Sequence, residues 1–264
     1  MRFISSLTIL LCGLLKLGQP VAFGALVAMS DARISNLGVN VDPARGTVVF
    51  SDPWSSEAFA QAQNSLGELD QQFDFTLGGM ASANGIATFA NGHGDANALS
   101  LTARSTGNAS ISGGTDATAS SVGNGTLSNS FTITRKPGVT DPTINVTFSL
   151  GMIGALQALT DGFGCLAETS LNVNLLVDGN PVLFYTDSIS IGFNDSQARS
   201  VSQTLTQALT LQYDTSFFLL TRTDSEVRVK GIPEPSNALM GSMLLGVIAL
   251  STFRRPRTAQ RVSP

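Results

Sequence analysis

Few side chains in this sequence are suited to chemistry, and two of them lie in one short segment. Asn91-Gly92-His93-Gly94-Asp95 places the chain's only histidine two residues from a carboxylate. Such a pair could serve a serine nucleophile, but no G-x-S-x-G elbow accompanies it. Sites that need two histidines, including many zinc sites, are excluded. The flanking glycines predict a solvated histidine in a turn, and we expect no catalytic residue.

Two pairs of acidic residues have the spacing of neighbours on one face of a strand. Glu68 and Asp70 form the first pair, and Asp224 and Glu226 form the second. Because residues i and i+2 of a strand share a face, each pair could suit calcium binding or glycoside hydrolysis. Such pairs are more often solvent-facing strand residues, which is our prediction. No phosphate loop or EF-hand spacing occurs, and we expect no metal ion or cofactor.

The two cysteines permit little redox chemistry. Cys12 lies in a segment that is predicted below to be removed, which leaves Cys165 alone in the mature protein. We therefore expect no intrachain disulfide. Cys165 is predicted to be a small buried apolar residue, and an intermolecular disulfide or a reactive thiol is the alternative.

The N-terminus has the layout of a signal peptide. Arg2 provides a positive charge, Phe3 to Leu15 form an apolar run, and Ala22-Phe23-Gly24 places small residues before a predicted cleavage at Ala25. An uncleaved membrane anchor is the alternative. The apolar run is shorter than the roughly 20 residues that span a bilayer, and Lys16 interrupts it. Residues 1–24 are therefore predicted to be a signal peptide for the secretion translocon and signal peptidase.

The C-terminus combines three elements in a fixed order. Ile232-Pro233-Glu234-Pro235 should be extended, because proline restricts itself and the residue before it. Ala238 to Phe253 carries no charge and would form a helix about 24 Å long, slightly short for a bilayer. A buried core helix is the alternative. The arginines favour a transmembrane helix whose tail stays in the cytoplasm while the body lies outside; they are Arg254, Arg255, Arg257 and Arg261.

This order of tripeptide, short apolar helix and arginine cluster resembles the PEP-CTERM sorting signal of Gram-negative bacteria. The resemblance covers about the last thirty residues, and the residues that match it are Pro233, Glu234, Pro235, Arg254 and Arg255. It implies that a membrane-embedded exosortase recognises and processes the precursor. It also implies delivery to the cell surface or to an exopolysaccharide-rich matrix. The predicted segments are a signal peptide (1–24), an extracytoplasmic domain (25–231), a sorting signal (232–257) and a cytoplasmic tail (258–264).

The body between the two ends is acidic. Residues 25–235 contain nine basic and nineteen acidic residues, a net charge of −10. Such a body repels polyanions, so we expect neither nucleic-acid binding nor charge-driven binding to an anionic membrane. About two hundred residues suit a single domain.

Alternation of apolar and polar residues predicts an all-β fold. Turn residues separate the apolar runs at intervals typical of a sandwich, and Asp178-Gly179-Asn180 predicts a hairpin. Lys136 to Pro142 is predicted to be a loop. The predicted strands are 47–50, 73–77, 131–134, 144–150, 171–177, 182–185, 188–193, 203–213, 217–221 and 227–229. They indicate an antiparallel β-sandwich, jelly-roll-like or related, with a C-terminal transmembrane helix in the precursor.

Two regions allow alternative interpretations. Residues 56–69 could form a strand or a short helix, because Ser56 could cap a helix while the alanines alternate. Residues 81–130 are rich in Ala, Ser, Thr, Gly and Asn. They could be a disordered linker or a set of short strands, and their low charge favours strands. The pairs Asn91-Gly92, Gly113-Gly114 and Asn124-Gly125 predict turns in this region.

Three functions are consistent with these features. The first is a non-catalytic protein of the surface or biofilm matrix, which could bind exopolysaccharide. The second is a secreted carbohydrate-active hydrolase, and the third is an unprocessed, single-pass membrane-anchored binding domain. The scarcity of His, Cys, Trp and Tyr counts against an enzyme, and the sorting signal counts against a plain anchor. The first is therefore our expectation.

Overall fold

A computed structural model describes residues 25–51, 53–112, 117–161 and 165–231. The predicted signal peptide, sorting signal and cytoplasmic tail lie outside these residues. Thirteen strands make up the described fold: β1 (Ala25–Val41), β2 (Gly46–Phe50), β3 (Ser55–Asn64), β4 (Leu69–Leu77), β5 (Met80–Ala87), β6 (Ala90–Asn97), β7 (Thr102–Ser112), β8 (Thr118–Arg135), β9 (Thr143–Thr160), β10 (Leu166–Val177), β11 (Asn180–Gly192), β12 (Asp195–Gln212) and β13 (Ser216–Lys230). Within that part of the chain, no helix has the length and apolarity needed to cross a bilayer.

The strands form two antiparallel sheets that pack face to face. The six-stranded sheet has the order β12-β9-β1-β7-β6-β5. The seven-stranded sheet has the order β11-β10-β13-β8-β3-β4, and β2 pairs with the part of β8 beyond β3. The predicted all-β fold with antiparallel sheets is confirmed, and its jelly-roll-like detail stays a prediction.

Long strands arise where the alternation of inward and outward side chains is unbroken. In β9, Ile144, Val146 and Phe148 point into the core while Asn145 and Thr147 are exposed. The alternation continues to Thr160, so the predicted strand 144–150 is only the first part of β9. The predicted loop 136–142 and the hairpin are confirmed. Positive φ angles at Asp178 (50°) and Gly179 (78°) fit a type I′ turn between β10 and β11.

The separation of residues 217–221 from 227–229 was wrong, because β13 is one continuous strand. Thr221, Thr223 and Ser225 occupy its inward positions between the two apolar runs. Their hydroxyls are satisfied in the core: Thr221 donates to the carbonyl of Leu127 (3.5 Å), and Ser225 donates to that of Ser105 (3.0 Å). Likewise, residues 182–185 and 188–193 are not separate strands, since β11 runs from Asn180 to Gly192.

The sandwich is thick where β12, β9 and β1 lie over β11, β10 and β13. Large apolar side chains fill this half, and aromatic rings extend the core towards β2. Phe131 packs against Phe217 with ring centroids 5.5 Å apart and against Phe148 at 6.1 Å. Phe50 contacts both Phe131 and Trp54. Burial of these side chains is the main source of stability here.

The sandwich is thin where β7, β6 and β5 lie over β8, β3 and β4. Its inward positions carry alanine, serine and glycine, including a separate buried cluster of Ala58, Ala60, Ala81 and Ala83. Within residues 81–112 and 117–130, the chain therefore forms strands with small side chains that are joined by turns. Residues 56–64 also form a strand, because the alternating alanines of β3 face this thin core.

Glycines in the thin half allow backbone to pack against backbone. A β-carbon at Gly94 of β6 would lie less than 3.0 Å from the carbonyl oxygens of Phe59 and Asn124. One at Gly123 of β8 would lie equally close to the carbonyl oxygen of His93. The predicted turns at Asn91-Gly92 and Asn124-Gly125 were therefore wrong, because these glycines lie within β6 and β8 and permit close sheet packing. Gly113-Gly114 lies outside the described residues.

Both ends of the described chain lie at one end of the sandwich. Ala25 pairs with Ser112, the last residue of β7, and Lys230 pairs with Thr118, the first residue of β8. The two partners flank the same connection between β7 and β8. We call this end the base of the sandwich.

Candidate functional site

His93 and Asp95 lie on β6, in the outer face of the six-stranded sheet. The prediction of a turn was wrong at this position, because Gly92 and Gly94 point inward and the two polar side chains point outward. The His93 Nε2 and Asp95 Oδ2 atoms are 3.8 Å apart, and both side chains are half-buried. The strand therefore holds an imidazole and a carboxylate side by side, too far apart for a hydrogen bond.

Strands β1 and β7 add charged residues to the same face. Arg104 of β7 is directly opposite Asp95 and also opposite Arg33 of β1. Its guanidinium makes a two-pronged contact with Asp31, with Nε–Oδ1 at 3.1 Å and Nη2–Oδ2 at 2.7 Å. This hydrogen bonding raises the pKa of Arg104. The ion pair with Asp31 holds the Arg104 guanidinium towards β1. Arg104 therefore acts on Asp95 through its positive charge and not through a hydrogen bond.

The Asp95 carboxyl is partly buried beside these charged groups. Burial raises its pKa, and the charges of His93, Arg104 and Arg33 oppose that rise only in part. Its Oδ2 atom is buried and accepts no hydrogen bond from the described residues. Burial therefore favours the protonated form of this carboxyl more than in an exposed aspartate.

A shallow groove of about 710 Å³ runs across the outer face next to this cluster. Five strands contribute its lining, and most of the polar groups are uncharged: Asn91, Thr106, Asn108, Gln157 and Ser200. The charged residues of the lining are Asp31, Arg104 and Arg199, and Met29 and Ala155 add apolar area. Amides and hydroxyls both donate and accept hydrogen bonds, so the groove suits a polar, hydroxyl-rich ligand.

The acidic pair Glu68 and Asp70 has a structural role that the sequence did not suggest. Asp70 Oδ2 accepts the backbone N–H of Ile86 at 2.9 Å, and Glu68 Oε2 accepts that of Thr88 at 2.6 Å. The Thr88 N–H and hydroxyl, followed by the amide of Asn64, lower the pKa of Glu68. Glu68 is exposed and Asp70 is partly exposed, which fits the prediction of solvent-facing residues, although Glu68 lies just before β4 and not within it.

Asp74 extends this arrangement, and sequence analysis missed it. Its Oδ2 atom accepts the backbone N–H of Ser82 at 2.9 Å. Three carboxylates beside or within β4 thus bind the free edge of β5, and we call Glu68, Asp70 and Asp74 the carboxylate ladder. The signal in the sequence was the even spacing of acids along one side of a strand.

The second acidic pair fits its prediction. Asp224 and Glu226 share the outer face of β13. Asp224 accepts hydrogen bonds from Asn124 Nδ2 (2.6 Å) and Arg222 Nε (2.8 Å). Throughout the described part of the chain, no group of three or more His, Cys, Asp or Glu side chains is placed to hold a metal ion.

Two further predictions concern single residues. Cys165 is buried, with 5% of its surface exposed, and it belongs to the main hydrophobic core, which confirms the prediction of a small buried residue. The predicted sorting residues all fall outside the described residues: Pro233, Glu234, Pro235, Arg254 and Arg255.

Comparison with known proteins adds no relative. No protein-family model, curated protein or solved structure matches this chain.

Proposed function

We propose that this protein is an exported, exosortase-processed component of the cell surface or extracellular matrix, and that its sandwich is a non-catalytic binding or structural domain. In this proposal the signal peptide (1–24) directs export through the translocon and is removed by signal peptidase. The C-terminal helix then holds the precursor in the inner membrane until exosortase acts. Exopolysaccharide is the candidate partner of the mature domain.

The observation that carries the proposal is the sequence order at the C-terminus. Pro233-Glu234-Pro235, an uncharged stretch and four arginines follow one another there. A carboxylate on a stiff, extended backbone loses little conformational freedom when it enters an enzyme groove. In this proposal Glu234 is the recognised group, and Arg254 and Arg255 keep the following segment oriented in the membrane.

The position of the last strand supports this interpretation. β13 ends at Lys230, and the N–H of Gly231 donates to the carbonyl of Ala117 at 2.9 Å. Only Ile232 separates Gly231 from the tripeptide, so the sandwich would stand within about 7 Å of it. The base of the sandwich, which also carries Ala25, would then face the membrane.

The polar groove supports the choice of partner. Its amides and hydroxyls provide paired donors and acceptors for sugar hydroxyls, and uncharged polar residues outnumber its three charged ones. Aromatic platforms that stack strongly on sugars are scarce in this chain, which contains one Trp and two Tyr. We therefore expect weak binding to individual sugar units that gains strength from many contacts along a polymer.

The test is the maturation of Glu234→Gln in a host with the exosortase. Intact-mass measurement of the wild type should show a chain that lacks everything after the Pro-Glu-Pro region, released from the inner membrane. The variant should remain as a membrane-bound precursor. Glu226→Gln is the matched control, since Glu226 is an exposed carboxylate eight residues earlier, and it should mature normally.

Two outcomes would contradict the proposal. Normal maturation of Glu234→Gln would mean that the tripeptide is not recognised through its carboxylate. A wild-type protein that keeps its full C-terminus in the presence of exosortase would favour the unprocessed, membrane-anchored alternative.

A further inference from the structure

One side edge of the sandwich is formed by an unusually long strand. β12 contains 18 residues and pairs with β9 along its whole length without a register shift. Within the ranges that the structure describes, no strand pairs with its other side. At about 3.4 Å per residue this open edge is roughly 60 Å long, and alternate residues direct N–H and C=O groups away from β9.

The sequence of β12 lacks the features that usually protect a sheet edge. Edge strands are commonly blocked by proline, by lysine, by a bulge or by short length. β12 contains neither proline nor lysine, and its charged residues, Asp195 and Arg199, lie in its first five positions. Residues 200–212 carry no charge at all.

The first part of β12 is fastened to the neighbouring sheet. Arg199 Nη1 contacts Asp187 Oδ1 at 2.8 Å and the carbonyl of Ser188 at 3.2 Å. Both acceptors lie on β11, the corresponding edge of the seven-stranded sheet. The open part of the edge is therefore residues 200–212, which we call the assembly edge.

The opposite edge of the same sheet is protected. There, the carboxylate ladder occupies the N–H groups of Ser82, Ile86 and Thr88, in and beside β5. Negative charges along that edge also repel an approaching strand. One edge of the sheet is thus closed by side chains. The other edge pairs with no strand of the described residues, and of its backbone groups the Ala208 carbonyl accepts a hydrogen bond from the Gln207 amide at 3.3 Å.

We propose that the assembly edge binds the assembly edge of a second copy of this protein, as an antiparallel strand pair that makes the six-stranded sheet continuous across two molecules. This inference goes beyond the proposed function and does not depend on it. An antiparallel pair of identical strands has twofold symmetry, so every free donor of one copy meets an acceptor of the other.

Charge and side-chain type favour a second copy as the occupant. The body carries a net charge of −10, so two copies repel each other over most of their surfaces. Residues 200–212 contain no acid and let the strands approach. The outward positions here are mostly hydroxyl residues, and Ser and Thr pair favourably across strands; these residues are Ser200, Ser202, Thr204, Thr206 and Thr210.

The symmetry leads to a sharp cross-linking test on the full-length chain. The twofold axis is perpendicular to the sheet, so one residue of the assembly edge lies directly opposite its own copy. Directly opposed residues are about 5 Å apart between Cα atoms, within disulfide range, and residues displaced by two positions are not. Single cysteines at each position from 200 to 212, in a Cys12→Ser and Cys165→Ser background, are oxidised and separated on non-reducing gels.

We expect disulfide-linked dimer to peak at one position and to fall at least tenfold two residues away on either side. Asn84→Cys on β5 is the matched control, an outward residue on the protected edge, and should give no such dimer. Adding lysines at the two outward residues that flank the best cross-linking position, which are Thr204 and Ala208 if that position is 206, should reduce its dimer at least tenfold without lowering its melting temperature, since these side chains are exposed. A flat profile, equal cross-linking at Asn84, or dimer that resists the lysines would overturn the proposal. A monomer in sedimentation at all concentrations would do the same, because the edge would then bind no second copy.

Discussion

Glycine has a particular role in this protein at the level of single residues. At Gly92, Gly94, Gly123 and Gly125, a β-carbon would lie within 3.0 Å of a backbone carbonyl oxygen of the facing sheet. Backbone atoms cannot move aside as a flexible side chain can. The absence of a side chain at these positions therefore sets the distance between the sheets in the thin half.

This leads to a prediction for Gly94→Ala. The added methyl group meets the carbonyl oxygens of Phe59 and Asn124, so the two sheets must separate locally. Overpacking of a tight core commonly costs 1–3 kcal/mol, and contact with backbone on both sides places this variant at about 3 kcal/mol or more. Urea denaturation followed by tryptophan fluorescence or circular dichroism measures the loss.

Gly192→Ala is the matched control. A β-carbon there lies 3.4 Å from its nearest neighbour, the Cys165 carbonyl oxygen, which is an ordinary contact distance. We expect a change of about 0.5 kcal/mol or less for this variant. Equal stability of the two alanine variants would show that the thin half can widen freely, contrary to the packing described here.

The same glycines explain why turns were wrongly predicted at Asn91-Gly92 and Asn124-Gly125. Asn-Gly predicts a tight turn because glycine tolerates positive φ, but glycine is also required where two backbones approach. Only the facing strand distinguishes the two cases. Asn91-Gly92 and Asn124-Gly125 face each other's strands, and that information is not local in the sequence.

At the level of elements, the carboxylate ladder closes the seam between the two sheets. β4 and β5 are the edge strands of different sheets. Carboxylates of β4 bind backbone N–H groups of β5, in place of the backbone-to-backbone hydrogen bonds of a paired strand. Hydrogen bonds to a carboxylate are stronger than those between neutral groups. For Glu68, whose pKa is lowered, this contribution is complete above the ordinary pKa and is lost as the pH falls through the lowered value.

We predict that Asp70→Ala and Asp74→Ala together open this seam. Ile86 and Ser82 lose the acceptors of their N–H groups, so their amide hydrogens should exchange at least tenfold faster. Hydrogen exchange resolved by NMR or mass spectrometry at neutral pH gives the measurement. Amides in the centre of β9 should change little, because β9 pairs with strands on both sides.

Gln72→Ala provides the comparison within β4. Gln72 lies between the two aspartates on the same side of the strand, and its removal eliminates a side chain of similar size. Exchange at Ile86 and Ser82 should then stay at the wild-type rate. Faster exchange in Gln72→Ala than in the double aspartate variant would mean that side-chain bulk, and not the carboxylates, protects the edge.

Sequence patterns predicted the type of each element better than its extent. Apolar alternation correctly indicated strands at Thr47–Phe50 and in the hairpin after Leu171. It ended too early in β13, because inward Thr and Ser residues interrupt the apolar pattern while their hydroxyls find partners in the core. The groove could not be predicted, since its lining comes from five strands that are brought together only by sheet register.

At the level of the whole molecule, the last strand lies in the middle of a sheet. β13 pairs with β10 on one side and with β8 on the other, and the proposed sorting segment follows it directly in the sequence. The seven-stranded sheet is therefore incomplete until the final described residues are in place. The strand that completes the fold and the tripeptide Pro233-Glu234-Pro235 are thus neighbours in the sequence.

A pair of truncated chains tests this arrangement. A chain that ends after Gly231 keeps all of β13. Its melting temperature should lie within about 2 °C of that of the chain with its full C-terminus, because the contacts of the described fold are intact. A chain that ends after Ser225 loses Val227 and Val229, which are 1% and 0% exposed, together with their pairing to β8 and β10. Burial of the two valines alone is worth about 3–6 kcal/mol, a large share of the stability of a typical domain.

We therefore expect the shorter chain to lack a cooperative melting transition and to be degraded rapidly by a nonspecific protease, while the longer chain resists it. Thermal circular dichroism and timed proteolysis provide the measurements. Val227→Ala in the longer chain should give an intermediate stability, since it removes buried area but keeps the strand paired. If the chain ending after Ser225 melted like the longer one, β13 would not be needed to complete the sheet. The fold would then be complete before the proposed sorting segment, and its last strand would have no necessary link to the proposed processing.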